Sequence, residues 1–314
     1  MKAVTHTEIY RPYEGHLRPR PPVERILAWA GIRLSFRKKL PALLLFTPPA
    51  IAALVGCVTV HLMFTMSSQA KRLGGARGQV FSEGLKQLLR DVSEAIYRFL
   101  QVNQFLALLV IAWYGSALIA EDKRLQANLL YFARPVTPLR YILGKLGTAA
   151  FLGTLTLFVP AMLICWQAAF SSPDWSFLKQ NSWVIWRVCG YSVIWILVMS
   201  TLVVAISSCF SRRALTLVAT FALIFLLDGA TQVAVEVTGN QNFGLLSPNR
   251  NFFEIAEHLF HKPNLGDILL QASGEGMESL APWNIEGSYW ALGLMTLLAL
   301  SVLWRNVRKM EVIA

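Results

Sequence analysis

The chain has 314 residues, of which 55% are hydrophobic and only 15% are charged, and its mean hydropathy is +0.48. Soluble domains carry about 25% charged residues, so the composition excludes an ordinary cytosolic or secreted globular protein. The net charge of +11 comes from 29 Lys and Arg residues against 18 Asp and Glu residues. In a membrane protein such an excess gathers on the cytoplasmic side, and we therefore expect no nucleic-acid partner.

Residues 1–39 are polar and basic and are predicted to form a cytoplasmic leader ahead of a membrane domain of residues 40–314. Apolar residues recur in the leader at helical spacing, at Val23, Ile26, Leu27, Ala30 and Leu34. A basic amphipathic helix ahead of a span can lie in the membrane interface and bind anionic headgroups. Membrane lipids are thus an expected partner of this N-terminal helix, and a solvated basic leader is the alternative.

Six apolar stretches are long enough to cross a bilayer, which takes about 20 residues. They are Leu40–Phe64, Phe99–Ala120, Leu146–Phe170, Val188–Phe210, Ala214–Val237 and Gly287–Trp304. Five of the six contain no charged residue, whereas the stretch from Ala214 contains Asp228 and Glu236. The sequence therefore predicts an all-α membrane protein with six transmembrane helices.

An even number of spans places both termini on one side, and the distribution of charge indicates which side. With a cytoplasmic N-terminus, the inner segments hold 19 Lys and Arg residues and 6 acidic residues, a net +13, whereas the outer loops counted together with Glu236 have a net charge of −1. Because cytoplasmic loops carry an excess of basic residues, both termini are predicted to be cytoplasmic. The two longest outer loops are then residues 65–98 and 238–286.

Both of these outer loops contain helical patterns. Apolar residues from Phe81 to Phe99 recur at steps of three and four, which predicts an amphipathic helix leading into the second span. In the later loop, Ser247-Pro248 is typical of a helix start and Lys262-Pro263 of a stop. A short, largely apolar helix is therefore predicted between the fifth and sixth spans.

The cytoplasmic loop of residues 121–145 begins with a charged cluster and turns at a proline. A short helix is predicted over Lys123–Ala133, and it stops before Pro135 because the residue before a proline avoids helical geometry. Thr137 and Pro138 then suit the start of the next helix. A helix, a stiff turn and a second helix can transmit force into the second and third spans; an ordinary short loop is the alternative.

This loop resembles that of the type-2 ABC-transporter permease family, the membrane subunits of many bacterial exporters. In that family a charged cluster, a short helix, an Arg-Pro turn and a Gly-Lys pair follow the second span in this order. The matching residues here are Glu121, Asp122, Lys123, Arg124, Tyr131, Phe132, Arg134, Pro135, Gly144 and Lys145. Many members carry Gly-Thr after the charged cluster, where this chain has Gln126-Ala127.

The resemblance implies that the chain is the permease subunit of an ATP-driven exporter in a bacterial inner membrane. Such permeases pair with a second permease copy, and each docks on a separate ATP-binding subunit that binds ATP and Mg. The ten matching residues would form the coupling element. The chain lacks a GxxxxGK[ST] phosphate loop, since Gly144-Lys145 is followed by Leu146. We therefore expect no ATPase activity and no cofactor in this chain, and nothing in its sequence indicates the substrate.

Two other functions are compatible with polar residues of the membrane domain. Asp228 lies in the middle of the fifth span, where a carboxylate costs about 2.5–3.5 kcal/mol on insertion scales. It is expected to be hydrogen-bonded within the bundle or to line a pathway. As an ion site it would belong to an ATP-independent secondary transporter or channel.

The second alternative is an intramembrane metal-dependent enzyme. Its weak candidate ligands are Glu254, Glu257, His258 and His261, which form an ExxEHxxH run. On a helix these side chains share one face, and carboxylate and imidazole ligands suit Zn or Fe. The HExxH signature of zincins is absent, so the favoured interpretation is the polar face of an interfacial helix with no metal.

Overall fold

The computed structural model describes residues 22–37, 39–73, 92–127, 131, 136–172, 175–261 and 284–313. Within these ranges the regular structure is helical and there is no strand. The α-helices are α1 (Val23–Arg37), α2 (Lys39–Leu73), α3 (Val92–Leu118), α4 (Ala120–Arg124), α5 (Pro138–Gly153), α6 (Val159–Ser171), α7 (Ser176–Cys209), α8 (Arg213–Phe221), α9 (Leu227–Thr238), α10 (Pro248–Phe260) and α11 (Ile285–Ile313). Thr154–Phe158 and Ala222–Leu226 are π-helical, and Gln241–Leu246 is a 3₁₀ helix.

Six helical stretches are long and apolar enough to cross a membrane, which confirms the predicted all-α fold with six spans. We number them span one to span six in chain order: Lys39–Met66, Val92–Arg124, Pro138–Ser171, Asn181–Cys209, Arg213–Thr238 and Ile285–Met310. Several extend beyond the charge-free runs, because a helix continues outside the apolar region until its backbone meets a breaker. The outer loop predicted over residues 65–98 is shorter for this reason.

The helix starts predicted from proline are present. Of the described residues in the predicted loop helix, Lys123, Arg124, Ala127 and Tyr131 are helical, and a turn at Leu125 and Gln126 interrupts it. α5 begins at Pro138 after an extended Thr137, although the Thr137 side chain makes no capping hydrogen bond. Instead of beginning at Lys123, a helix continues from span two as far as Arg124. Gln126 then has a positive φ of 53°, which breaks the helix. The Phe81 part of the outer amphipathic pattern lies outside the described residues.

Spans two, three and four form the core of the bundle. In their most apolar segments 67%, 56% and 72% of the residues are buried, against 17%, 22% and 22% for spans one, five and six. Span four is central and contacts spans two, three, five and six. Spans one, five and six lie at the periphery of the bundle and present exposed apolar side chains, as contact with lipid or another membrane protein requires. Examples are Leu43, Leu54, Val218, Leu226, Leu294 and Leu298.

We call the end of the bundle where span one begins the near end, and the opposite end the far end. α10 closes the far end by packing on spans two, four and six. The Phe260 ring lies 5.5 Å from the Tyr97 ring, and the Phe252 ring lies 6.4 Å and 6.3 Å from Tyr191 and Trp195. As predicted, α10 starts at the serine–proline pair, where Ser247 accepts a hydrogen bond from the Arg250 N–H at 3.2 Å.

At the near end α1 packs against α5 through small residues. A Cβ on Gly31 would lie 2.5 Å from Thr148 Oγ1, and one on Gly144 would lie 2.7 Å from Leu27 Cβ. Thr148 also donates a hydrogen bond to the Ala28 carbonyl at 3.2 Å. Small residues allow two membrane-protein helices to approach this closely. Gly144, a predicted coupling residue, is therefore a packing position for α1.

The predicted apolar stripe of α1 is only partly its buried face. Ile26 and Leu34 are 50% and 60% exposed, whereas the packed side carries Leu27, Gly31 and the buried Ser35. The helix itself is present over Val23–Arg37, and the placement of its apolar stripe in the membrane interface stays a prediction. Periodicity in apolar residues marks a buried face only where burial depends on the hydrophobic effect, and helix contacts in membranes select small residues instead.

Replacing Gly31 or Gly144 with Ala is expected to destabilise the protein by about 1 kcal/mol. The clash costs about 1–3 kcal/mol, and the better helix propensity of Ala returns part of it. The matched control is Gly293→Ala in span six, where an added Cβ meets nothing within 4 Å, so it should be neutral or stabilising. Unfolding midpoints of the purified variants measure both effects. Equal midpoints for all three would mean that α1 does not pack closely on α5.

Candidate functional site

The two ends of the loop of residues 121–145 meet in an ion pair at the near end. The Lys145 Nζ lies 2.6 Å from the Asp122 Oδ2, and the two side chains are only 10% and 15% exposed. Asp122 lies in α4, which extends span two, and Lys145 lies two turns into α5, the first part of span three. The pair therefore ties the end of span two to the start of span three.

Two tyrosines complete this cluster, which we call the near-end cluster (Asp122, Tyr131, Tyr141 and Lys145). The Tyr141 hydroxyl donates to the Asp122 Oδ2 at 2.7 Å, and the Tyr131 and Tyr141 rings are 5.8 Å apart. The Lys145 Nζ lies 5.9 Å and 5.3 Å from these two ring centroids, a distance at which a cation is attracted to a ring. Burial and then the Asp122 carboxylate raise the pKa of Tyr131, so its phenol stays neutral at pH 7.

A second set of hydrogen bonds joins span two to spans four and six at the same end. Lys123 Nζ donates to the Ser208 carbonyl, and Asn306 Nδ2 donates to the Ser208 Oγ at 3.0 Å. The Ser207 Oγ accepts a hydrogen bond from the Ile119 N–H at 3.2 Å. Neither serine nor Asn306 was predicted as a functional residue, and their only signal in the sequence was polarity at the end of an apolar run. Spans two, three, four and six are thus connected at the near end.

The other predicted coupling residues are distributed around this network. Glu121 is half-buried and Arg124 is exposed, and neither forms an ion pair within the described part of the chain. Phe132, Arg134 and Pro135 lie outside the described residues. Asp122 and Lys145 direct their charges at each other. Among the described residues of the charged run 121–124, Glu121 and Arg124 are therefore the charges that are available to a partner.

Gln126 explains why the loop turns where it does. Its φ of 53° is in the left-handed region, which costs a residue with a Cβ roughly 1–2 kcal/mol relative to the right-handed helical region and costs glycine almost nothing. This is the position where many permeases of the resembled family carry the Gly of Gly-Thr. The chain makes this backbone turn at a residue type that does not favour it.

The core contains a polar centre shared by spans two, three and four. Pro160 has no N–H to donate to the carbonyl of Thr156, and the buried Asn103 Nδ2 donates to that carbonyl at 2.7 Å. Tyr191 donates to the Oε1 of the buried Gln104. The Asn103 Oδ1 and Gln104 Nε2 have no partner among the described residues. This polar centre was not predicted, although two amides in a charge-free span were its visible signal in the sequence.

Asp228 is bonded to the segment that precedes α10. Ser247 donates to its Oδ1 at 2.6 Å, and Asn249 Nδ2 lies 3.3 Å from its Oδ2. The side chain is half-buried, and Asp228 lies in the first turn of the α9 part of span five. Hydrogen bonds from two neutral groups stabilise the carboxylate at this depth. A role in a pathway stays a prediction.

The ExxEHxxH run does not form the single helical face that was predicted. α10 ends at Phe260, and His261 is its C-cap with a φ of 53°, so His261 is off the helix. The His258 and His261 rings are 6.1 Å apart. Within the described ranges, no group of three or more His, Cys, Asp or Glu residues is arranged to hold a metal ion.

The six apolar helices around a buried core define an all-α integral membrane protein. No protein-family model matches the chain, and no curated protein matches its sequence. Its function must therefore be inferred from the geometry of the bundle, above all from the near end.

Proposed function

We propose that the chain is the permease subunit of an ATP-driven ABC exporter. It forms the translocation pathway in a bacterial inner membrane together with a second permease copy. A separate subunit binds ATP and Mg and docks on the loop of residues 121–145. In this proposal the near end is cytoplasmic, as are both termini.

The near-end cluster carries this proposal. A coupling element must transmit movement of a soluble partner into membrane helices without dissipating it in a loose loop. The Asp122–Lys145 ion pair and the Tyr141 hydrogen bond close the loop at its base, so that a force on the loop acts on spans two and three together. The bonds to Ser208 extend the connection to spans four and six.

The residues that face outward at this end suit a protein partner. Glu121 and Arg124 offer both signs of charge, which orient an incoming partner, and Leu125 is 67% exposed beside them. Tyr131 is half-buried against the cluster. Aromatic residues and arginines anchor protein interfaces, which suits Tyr131 and Arg124 to contact a partner. Since Tyr131 packs on Tyr141 and Lys145, a partner bound there would also lie at the base of spans two and three.

Purification of the tagged chain from the membranes of its host is expected to recover an ATPase that has a phosphate-loop motif. Tyr131→Ala should weaken its binding about tenfold, since interface aromatics contribute on the order of 1–2 kcal/mol or more. Tyr289→Ala, at the far end of span six, is the matched control and should leave binding unchanged. Mass spectrometry of the purified complexes measures the amount of ATPase bound. Recovery of the wild-type chain without any such ATPase would contradict the proposal.

A further inference from the structure

The face of α1 that points away from α5 carries an exposed row of three arginines and one tryptophan. Arg25, Trp29, Arg33 and Arg37 follow one another at steps of four, and each is exposed. Residues four apart lie one above the other on a helix. Trp29 is 65% exposed, although it is the largest side chain of α1. We call this surface the arginine row.

The arginine row has no carboxylate partner in the described structure. The ion pairs found there, Arg98–Glu94 and Lys145–Asp122, do not involve α1. Glu24, the acidic residue of α1, is on its half-buried side. Like charges one turn apart repel each other, so an anion placed between Arg33 and Arg37 would relieve the repulsion and would bind two guanidinium groups.

An apolar row lies directly beside the arginines. It consists of Ile26, Ala30 and Leu34, all of them exposed. Ala30 and Leu34, together with Phe36, line a pocket whose other described residues are Arg33 and Arg37. The pocket therefore combines two guanidinium groups with an apolar wall, which is the chemistry of a phosphate joined to acyl chains and not of a free anion.

The position of α1 brings this pocket to the membrane edge. Span one starts at Lys39, directly after the helix. The Phe36 ring stacks on Phe46 of span one, with centroids 5.1 Å apart, and Gly31 packs on Thr148 of span three. Two spans thus hold α1 beside the bilayer surface, where tryptophan is enriched and arginine reaches the headgroups.

We propose that the arginine row and its pocket bind an anionic phospholipid, with the lipid phosphate between Arg33 and Arg37 and the acyl chains against Ala30, Leu34 and Phe36. This site does not depend on the transport function proposed above. It would fix α1, and through Gly31 and Gly144 the start of span three, to the lipid surface. The bound lipid would then be a structural ligand of the near end.

Native mass spectrometry of the purified chain with equal amounts of phosphatidylglycerol and phosphatidylcholine tests the proposal. The wild-type chain should retain phosphatidylglycerol preferentially. Arg33→Gln with Arg37→Gln should lower this retention about tenfold or more, because each basic residue near an anionic surface contributes on the order of a factor of five. Both positions are exposed, so the fold should tolerate the change.

The matched control is Arg305→Gln with Arg308→Gln, which removes the same charge from exposed positions near the end of span six. This pair should keep retention within about twofold. Charges that do not touch the bound lipid attract it only from a distance, and salt screens that attraction beyond roughly a Debye length. An equal loss in both double variants would overturn the site in favour of diffuse surface charge. Unchanged retention in the Arg33 and Arg37 variant would overturn the lipid assignment. It would indicate that the arginine row binds an acidic protein segment instead.

Discussion

Replacement of Lys145 by Met is expected to destabilise the protein by about 2–4 kcal/mol. The substitution leaves the Asp122 carboxylate in a site that is only 15% exposed, with Tyr141 as its remaining donor. Removing one partner of a buried ion pair costs about 3–5 kcal/mol, and the residual exposure of this pair reduces that figure. Denaturation of the purified chain in mixed micelles gives the free energy of unfolding.

The double variant Asp122→Leu with Lys145→Met separates the pair from its surroundings. With both charges removed no unpaired ion is left, so the double variant should recover about half of the stability that Lys145→Met loses. Lys309→Met, at an exposed position of the same end of the bundle, is the control and should change stability by less than about 0.5 kcal/mol. Additive losses in the double variant would show that Asp122 and Lys145 do not interact.

The transport assay distinguishes a structural pair from a coupling pair. If the near-end cluster transmits force, the double variant should fold and bind its ATPase but hydrolyse ATP with little transport. A double variant that restores both stability and transport would limit the cluster to a structural role. The comparison is informative because the hydrophobic pair fills a similar space but removes the ion pair and the Tyr141 hydrogen bond that close the cluster.

The six spans were predictable because the bilayer sets one strong requirement, about 20 apolar residues without charge. The near-end cluster was only partly predictable for the same reason. Charge-free runs exclude Asp122 and Lys145 by definition, so both were assigned to a loop that docks on a partner. In the structure both lie on helices that continue past the apolar runs, and their charges meet across 2.6 Å. Pairing between helix ends 23 residues apart has no local sequence signal.

The packing of α1 and the polar centre were missed for a different reason. Gly31, Gly144 and Thr148 are small residues with no distinctive pattern in the sequence, yet they set a close helix contact at the near end. Apolar periodicity does not reveal such a contact, because helix contacts in membranes select small residues. In the same way, Asn103 and Pro160 lie 57 positions apart, and only the fold shows that one compensates for the other.

Substitution of Asn103 by Leu is expected to depend on the residue at position 160. In the wild-type background it removes the side-chain donor from the Thr156 carbonyl, whose regular helical donor Pro160 cannot supply. A buried carbonyl that loses its partner costs about 1–3 kcal/mol. In the Pro160→Ala background an N–H returns to position 160 and can bond to that carbonyl, so the same substitution should cost about 2 kcal/mol less.

The difference between backgrounds is the quantity to measure, since other effects of the substitution cancel in it. Asn103→Leu also removes an Oδ1 that has no partner in the described structure, and this gain is the same with either residue at position 160. Leu157, a buried neighbour of Thr156 in the π-helical turn, provides the control: Leu157→Ala should cost the same in both backgrounds. Free energies of unfolding for the four variants of the cycle give the coupling between Asn103 and Pro160. A coupling near zero would mean that the hydrogen bond to Thr156 does not compensate for the proline, and that the π-helical turn of span three is stable without it.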